Sequence, residues 1–578
     1  MSGSNQSEVE GNSFVRQEIP ARIGTGFIGG KASGLAGISE HIHSRFQGDD
    51  TFADFQINIP GMAVLCSDVF AAFLDQNKVD ILALESESDH RIANRFHAWD
   101  IPFSVLGELR EITDKLTSPL AVRSSSLLED ALESPFAGIY ATKMIPNNEP
   151  DPDIRFKKLI AAIKFVYAST FFRNARDYRR AINVSPDAER MSVIIQEVVG
   201  TPHFDRYYPD ISGVARSINY YPINRSKSED GIVHLALGLG KTIVDGSRSW
   251  WYSPSQPRVN PPFLDINELL KQTQTSFWAV NLGKPPDYDP SSETEYLIKA
   301  GLKDAEYDDT LSPIVSTYDP ANDRIQVGLM DHGPRILTFA PILVYNQLPL
   351  NALIKAILEM CESAYNSPVE IEFALTMNPL RFGLLQVRKM ASSSGDVSIA
   401  EADLTSRDVL LGSRMALGNG ERTDITDIIF VKPDSFDPAH SRTIAQEIDT
   451  LNRRLLESGR TCLLIGFGRW GSSDPWLGIP VTWGQISQAK VIVESTLPNM
   501  DKEFSQGSHF FHNITSFGVS YFSVRYSSQE QIDWDWLLSQ DMVEELSFVR
   551  HVRTHQPIPI RVDGRTGLGV ILKPDLPE

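Results

Sequence analysis

Residue types that suit a phosphate group cluster in one short segment, Pro119–Lys143. An apolar run there is expected to form a buried strand that carries Arg123 to its end, where three serines follow. A loop of small residues containing Gly138 comes next, and Thr142 lies just beyond it. A guanidinium offers a planar, permanently charged fork, and hydroxyl and backbone N–H groups add further donors. The segment is therefore typical of a polyphosphate site, although an ordinary strand and loop with a surface arginine gives the same local pattern.

Two later strand-like runs carry polar side chains at alternating positions. Glu370 and Glu372 are two residues apart, and so are Gln386 and Arg388. Successive side chains of a strand point to opposite faces, so the members of each pair would share one face. Carboxylate oxygens there would suit a Mg²⁺ ion that also contacts substrate phosphates. Taken alone, each pair is more typical of a solvated strand face than of a site.

Together these segments resemble the nucleotide-binding domain of the pyruvate phosphate dikinase and phosphoenolpyruvate synthase family. The resemblance rests on motifs in the family's order between residues 29 and 388, namely a glycine-lysine segment around Lys31, the Arg123 segment with its Phe136-Ala137-Gly138 loop, an apolar strand ending in Gln196-Glu197, and the Glu370–Ala374 and Leu385–Arg388 strands. It implies an ATP-grasp-type domain that holds Mg-ATP between two lobes.

The resemblance assigns the phosphate end of the nucleotide to five positions. Lys31 and Arg123 would contact phosphates and neutralise charge as the transferred group leaves, which is the electrostatic stabilisation that phosphoryl transfer requires. The loop around Gly138 would cap the phosphates, and Thr142 would add a hydroxyl donor. Arg388 would grip the γ-phosphate. Arg123 and Arg388 are therefore predicted catalytic as well as nucleotide-binding residues.

The remaining family positions would serve the base and the metal. Gln196 and Glu197, at a strand end near the inter-lobe hinge, would read the adenine edge through main-chain and side-chain hydrogen bonds. Glu372 is the predicted Mg²⁺ ligand, and Gln386 would join the metal shell. Glu370, on the same strand face, is predicted to be catalytic.

Two segments depart from the family pattern. Gly238-Leu239-Gly240 is followed by Lys241, where the family usually has an acidic residue. A stretch that reads SGVAFT in the family has Arg216 at its fifth position. Both changes place positive charge where the second lobe could face phosphate, so Lys241 joins the predicted nucleotide-binding residues. They would alter phosphate handling or acceptor choice without abolishing ATP binding.

The chain alternates strand and helix patterns to about residue 390, which predicts an α/β or α+β fold. A proline-rich stretch, Tyr252–Pro290, is expected to connect the lobes. The predicted divisions are a disordered N-terminus at residues 1–20, a first lobe at 21–225, a second lobe at 226–392, a linker at 393–407 and a smaller C-terminal α/β domain of unknown role at 408–578.

Composition excludes several classes of protein. The net charge of -20 argues against binding to nucleic acid or to an anionic membrane surface. There is no run of about 18 apolar residues and no apolar core in the N-terminal segment, so neither a membrane span nor a secretory signal is expected. Cys66, Cys361 and Cys462 lie in apolar surroundings without a paired spacing, which is typical of core thiols in a reducing cytoplasm.

Three motifs look more informative than they are. Gly240-Lys241-Thr242 mimics the end of a P-loop, but the required upstream glycine position holds Leu235. Gly466–Gly471 has a GxGxxG spacing, yet the sequence after it is too broken for a helix start. A structural turn is the preferred interpretation, and a functional loop that exposes Arg469 and Asp474 is the alternative. His509 is the nearest match to a phosphorylated carrier histidine, and bulky Phe510 and Phe511 follow it where the family has small residues.

The resemblance to the dikinase and synthase family implies an ATP-dependent phosphotransferase whose cofactors are ATP and Mg²⁺. The acceptor would be a histidine on this chain, a separate phosphocarrier or acceptor protein, or a small molecule. A kinase that moves only the γ-phosphate and yields ADP is one alternative. A nucleotide-sensing regulatory protein without turnover is another, because the family's swivelling and barrel domains have no counterpart in this sequence.

Overall fold

A computed structural model of the 578-residue chain shows a mixed α/β architecture, as predicted. It describes residues 21–126, 139–181, 184–185, 189–219, 227–259, 266, 269–270, 273–284, 286, 288–390, 397–418, 420–472, 476–498, 500, 519–526, 532–564 and 566–574. Within these ranges no helix combines the length and the apolar character needed to cross a membrane. The predicted disordered N-terminus, Gly138 and His509 lie outside the described residues.

The first lobe is built on a five-stranded sheet that presents the phosphate-type residues. Its strand order is Ala21–Ile23, Met62–Leu65, Met191–Glu197, Leu120–Ser126 and Thr142–Ile145. Helices pack around this sheet at Gly29–Phe46, Ser67–Gln76, Ile81–Leu84, Asp89–Ala98, Leu106–Lys115, Pro152–Ser169 and Arg173–Ala181. In the strand Leu120–Ser126 every residue except Arg123 is buried, so Arg123 is the one position of this strand whose side chain is partly exposed.

The second lobe centres on a six-stranded sheet that carries the acidic and Leu-Gln-x-Arg motifs. Its order is Trp250–Tyr252, Ile232–Ala236, Ile211–Arg216, Val369–Met377, Leu380–Lys389 and Gln56–Asn58. The edge strand Gln56–Asn58 comes from the N-terminal part of the chain and pairs in parallel with Leu380–Lys389. The chain therefore passes from the first lobe into the second-lobe sheet and back again at this strand.

Two smaller sheets complete this lobe. One has the order Leu297–Gly301, Ser276–Asn281, Arg206–Tyr208 and Thr201–His203, and the other Arg324–Val327, Val315–Asp319 and Arg335–Leu337. Helices in the described part of this lobe include Lys241–Val244, Leu302–Tyr307, Ala340–Leu343 and Leu350–Tyr365. Because Ser276–Asn281 is a strand, the stretch Tyr252–Pro290 does more than connect lobes.

The C-terminal region forms an α/β unit with its own cores. A seven-stranded sheet has the order Met415–Leu417, Ser520–Val524, Ala489–Ser495, Cys462–Phe467, Asp427–Val431, Val549–Arg553 and Asp541–Glu545, and its four strands from Ser520–Val524 to Asp427–Val431 run parallel. A four-stranded sheet has the order Val409–Ser413, Leu568–Leu572, Ile560–Asp563 and Gly420–Arg422. Helices lie at Ser441–Glu457 and Trp534–Ser539.

Short elements join these parts. The 3-10 helices in the described residues are Asp50–Phe52, Phe103–Val105, Ser228–Asp230, Glu401–Thr405, Pro433–Ser435, Pro438–His440 and Trp483–Ile486.

Trp483 packs against both the first-lobe core and the core of the C-terminal unit. Next to it, a Cβ on Gly484 would lie 2.7 Å from the Cβ of Asp177. The C-terminal unit is therefore in close contact with the first lobe.

Two motif interpretations can be compared with this fold. After Cys462–Phe467 the chain turns at Gly468, whose φ is +71°, and continues as the short strand Arg469–Trp470 paired with Gly478–Ile479. This is the structural turn that was predicted, and a dinucleotide-binding helix does not open there. All three cysteines are buried free thiols, as expected for core residues.

A buried carboxylate organises the beginning of the central strand Asp427–Val431. Asp427 is 1% exposed and accepts hydrogen bonds from His551 Nε2 at 2.8 Å, Arg460 Nε at 2.7 Å and Arg553 Nε at 2.9 Å. Burial alone would raise the pKa of Asp427, but these donors outweigh it and lower the pKa to about 2. Three chain segments are thus tied to one ionised group.

Candidate active site

A cleft of about 350 Å³ lies between the two lobes. Its apolar lining includes Ala121, Met144, Val198, Leu239 and Leu297. The structure brings nine of the twelve predicted site residues to its walls: Lys31, Arg123, Thr142, Gln196, Glu197, Lys241, Glu372, Gln386 and Arg388. An apolar part beside converging charges is the usual build of a site for a small polar ligand.

Arg123 bridges the two lobes across this cleft. Its Nη2 donates to Glu372 Oε2 at 3.0 Å and to Gln386 Oε1 at 2.8 Å, and its Nη1 donates to the Leu385 carbonyl at 3.1 Å. The partners are adjacent because Glu372 and Gln386 are opposite each other in the antiparallel pair Val369–Met377 and Leu380–Lys389. The fold therefore brings a cation of the first lobe into contact with two side-chain oxygens of the second lobe.

Lys31 reaches the same place from a helix. The helix Gly29–Phe46 begins against the strand of Arg123, where Lys31 Nζ donates to the Ser124 carbonyl at 3.3 Å and Ala32 N–H donates to Ser125 Oγ at 3.1 Å. Gly29 has a φ of +78°, and a Cβ there would overlap the Ser125 carbonyl. The glycine is required for this approach, which brings the positive end of the helix dipole to the cleft.

The two residues predicted to read adenine, Gln196 and Glu197, differ in their side-chain contacts. Gln196 is buried, and its Nε2 has no hydrogen-bond partner among the described residues. The Glu197 carboxylate instead pairs with Arg381, with 2.9 Å between Oε2 and Nη2. The Glu197 N–H donates to the Gly61 carbonyl. An adenine contact from the Glu197 side chain would have to compete with that ion pair.

Glu370 occupies a different environment from Glu372. It is 2% exposed and contacts both Arg216 and Arg388, which lie opposite it on the two neighbouring strands. Arg388 lines the cleft, whereas Glu370 is absent from the described lining. The geometry therefore places Glu370 behind Arg388, where it can orient that guanidinium.

Two acidic residues that the sequence did not single out complete the wall around Lys241. Its Nζ lies 3.1 Å from Asp245 Oδ1 and 3.7 Å from Glu293 Oε1. Burial raises the pKa of Glu293, and Lys241 and the Thr142 N–H offset part of that effect. The extra positive charge expected from Lys241 is therefore balanced by nearby carboxylates. Glu293 and Glu295 have the same Glu-x-Glu spacing as Glu370 and Glu372, but they lie in a polar segment outside the recognised motifs, which is why sequence reasoning missed Glu293.

A buried ion pair closes the same edge of the cleft. Lys143 of the first lobe and Glu295 of the second lobe are 2.6 Å apart between Nζ and Oε2, and their side chains are 3% and 4% exposed. Lys143 Nζ also donates to the Ser292 carbonyl and lies over the Phe165 ring. Burial lowers the pKa of Lys143, and the charge of Glu295 opposes this. Residues 292–295 thus join the two lobes beside Thr142.

The donor set around Arg123 fits a magnesium ion. Glu372 offers a carboxylate and Gln386 an amide oxygen, both hard ligands, on facing positions at the cleft. In the described part of the chain, no three His, Cys, Asp or Glu side chains converge on one point. A Mg²⁺ ion held by Glu372 and Gln386 would therefore complete its shell with water and nucleotide phosphate oxygens.

Comparison with known proteins adds two findings. Residues 25–407 match the family model described as pyruvate phosphate dikinase, AMP/ATP-binding domain. A curated phosphoenolpyruvate synthase of Aeropyrum pernix is 30% identical over 151 residues, which cover 26% of this chain and 16% of that relative. The chain thus matches only a small part of that relative's length.

Proposed function

Because this chain belongs to the family of the pyruvate phosphate dikinase AMP/ATP-binding domain, we propose that its inter-lobe cleft binds Mg-ATP and transfers a phosphoryl group from it. The family is one of ATP-binding phosphotransferases. The observation that carries the proposal is the bridge from Arg123 to Glu372 and Gln386 across the cleft. A structural ion pair alone would not also require Lys31 and Arg388 at the same wall.

The residues divide the work of phosphoryl transfer. Lys31, Arg123 and Arg388 reach the cleft from a helix and two different sheets, and their charges would stabilise the oxygens of the transferred group. Glu372 and Gln386 would hold Mg²⁺, which neutralises phosphate charge when bound. Since Arg123 donates hydrogen bonds to the side-chain oxygens of Glu372 and Gln386, nucleotide phosphates that enter the cleft would replace these oxygens as partners of the guanidinium.

The apolar part of the cleft fits a nucleobase. Met144, Val198, Leu239 and Leu297 offer surface for a planar ring, and Gln196 brings a buried amide without a described partner. An amide hydrogen-bonds to the edge of a base, while the aliphatic side chains contact its faces. This arrangement supports the prediction that Gln196 reads adenine.

The phosphoryl acceptor is proposed to be a histidine, a partner protein or a small molecule that enters beside the C-terminal unit. The close contact between that unit and the first lobe, through Trp483 and Gly484, favours a role for residues 408–578 in the same reaction cycle. It is equally the observation that would support a sensor, in which ATP changes this contact without turnover.

Phosphorus NMR of the purified chain with Mg-ATP tests the proposal. AMP together with phosphate is the expected product pair for dikinase-type transfer, and ADP alone would identify a simple kinase or ATPase. The variants Arg123→Ala and Glu372→Ala should reduce turnover at least tenfold. Arg324→Ala is the matched control, because Arg324 is on an exposed hairpin outside the cleft. Bound but unchanged ATP under all conditions would contradict catalysis and support the sensor.

A further inference from the structure

Three charged residues form a row across the second-lobe sheet. Glu370 is opposite Arg216 on one neighbouring strand and opposite Arg388 on the other. The side chains of Arg216, Glu370 and Arg388 are 11%, 3% and 3% exposed. Such burial makes the interactions within the row stronger than those of surface ion pairs.

One carboxylate in this row is shared by two guanidiniums. Arg216 Nε contacts Glu370 Oε2, and Arg388 Nη2 contacts Glu370 Oε1. The three side chains together therefore carry one net positive charge. His234 is next to Arg216 and Glu370, and burial followed by the charge of Arg216 lowers its pKa to about 3, so it is neutral at physiological pH.

The row ends at the nucleotide cleft. Arg388 lines the cleft, and its buried Nε has no hydrogen-bond acceptor among the residues that the structure describes. A buried donor without a partner is costly, and a charged one more so. An anion in the cleft beside Arg388 would satisfy it.

Arg216 determines how much charge Arg388 can offer. If Oε2 of Glu370 were not occupied by Arg216, the carboxylate could form a two-bond pair with Arg388 alone, which is the preferred geometry for arginine and a carboxylate. That pair would neutralise Arg388 and draw its guanidinium toward Glu370. With Arg216 present, Glu370 orients Arg388 without cancelling its charge.

We propose that Arg216 is a positioning residue that keeps Arg388 available for the terminal phosphates of the bound nucleotide. The inference rests on the proposed function, because it assumes that the cleft takes ATP. It goes beyond that function by assigning a role to Arg216, which is not among the described residues lining the cleft. Arg216 would act through Glu370 and Arg388, without touching the nucleotide itself.

Binding of ATP and AMP to a set of charge variants tests this role. Arg216→Met keeps much of the side-chain stem and removes the charge, so ATP should bind at least tenfold more weakly while AMP affinity changes less than twofold. Arg216→Lys should recover most of the ATP affinity. The double variant Arg216→Met with Glu370→Gln returns the row to one net positive charge and should also bind ATP within about threefold of wild type.

The outcomes separate electrostatics from folding. A residue that only maintains the fold would weaken ATP and AMP equally and would not be rescued by Glu370→Gln. If Arg216→Met fails to fold, the double variant alone decides: an unchanged ratio of ATP to AMP affinity supports the proposal, and a tenfold lower ratio overturns it. If wild-type protein binds no ATP, the proposed function fails and this inference fails with it. If wild type binds ATP and Arg216→Met keeps the wild-type ratio, only the inference is overturned.

Discussion

The ion pair between Lys143 and Glu295 is predicted to hold the lobes together at the edge of the cleft. The pair joins a first-lobe strand to the segment leading into the second-lobe strand Leu297–Gly301, and both side chains are almost fully buried. Removing one partner of such a pair leaves an uncompensated buried charge, at a cost of about 3–5 kcal/mol. Because about 1.4 kcal/mol corresponds to a factor of ten, local opening should become about 10²- to 4 × 10³-fold more frequent.

Hydrogen exchange measured by mass spectrometry on peptides that cover the strand Thr142–Ile145 reports this opening directly. We expect Lys143→Met and Glu295→Leu each to lower protection there by about two orders of magnitude or more. The double variant should regain much of the loss, because two apolar side chains leave no buried charge. Lys115→Met is the control: Lys115 pairs with Glu111 on an exposed helix surface, where the expected cost is below about 1 kcal/mol. If the single variants cost no more than this control, or if the double variant is as unprotected as the worse single one, the reasoning is wrong.

Three further predictions follow from other parts of the molecule. Asp427 has a folded-state pKa of about 2, below its value of 3.8 in the unfolded chain. Its stabilising contribution of about 2 kcal/mol is therefore present above pH 4 and is lost as the pH falls toward 2. Asp427→Asn should flatten the acid dependence of unfolding of the C-terminal unit, and an unchanged profile would contradict this. Gly29→Ala should place a Cβ against the Ser125 carbonyl and weaken ATP binding by at least tenfold in a calorimetric titration, whereas Gly48→Ala, at an exposed glycine of similar φ with open space around it, should not. Glu372→Gln should weaken ATP binding in the presence of Mg²⁺ much more than AMP binding in its absence, and equal effects would argue against a metal ligand.

The sequence predicted the elements whose pattern is local. The strands that carry Arg123, Gln196-Glu197 and Gln386-x-Arg388 form as expected, because each is an apolar run with a polar break at its functional position. The first of them was predicted to end at Arg123, but it continues through the three serines to Ser126, which places Arg123 in mid-strand. The family resemblance predicted the fold class, and the match over residues 25–407 confirms the family.

Features that depend on distant partners could not be predicted in this way. Lys143 and Glu295 are separated by about 150 residues, and nothing in a polar loop indicates that one of its carboxylates is buried. The strand Ser276–Asn281 lies within a proline-rich stretch, although its own residues, SFWAVN, include aromatic and β-branched types that favour strands; its antiparallel pairing with Leu297–Gly301 depends on a segment beyond that stretch. The edge strand Gln56–Asn58 belongs to the second-lobe sheet although it precedes most of the first lobe, and only the pairing shows this.

Glu370 shows how burial changes an interpretation. Its alternation with Glu372 predicted that both carboxylates share one strand face, with Glu370 catalytic and Glu372 a metal ligand, but only Glu372 is among the described residues lining the cleft. Arg216 explains the difference, since it is opposite Glu370 on the neighbouring strand and forms an ion pair with the buried Glu370 carboxylate.

Calorimetric titration of the purified chain with Mg-ATP tests the central claim most directly. Wild-type protein and the exposed control Arg324→Ala should bind one ATP per chain with equal affinity, and Arg123→Ala should bind it at least tenfold more weakly, because it loses the cation that faces Glu372 and Gln386. If wild type binds no ATP, or if Arg123→Ala binds it as tightly as wild type, the inter-lobe cleft is not the nucleotide site described here.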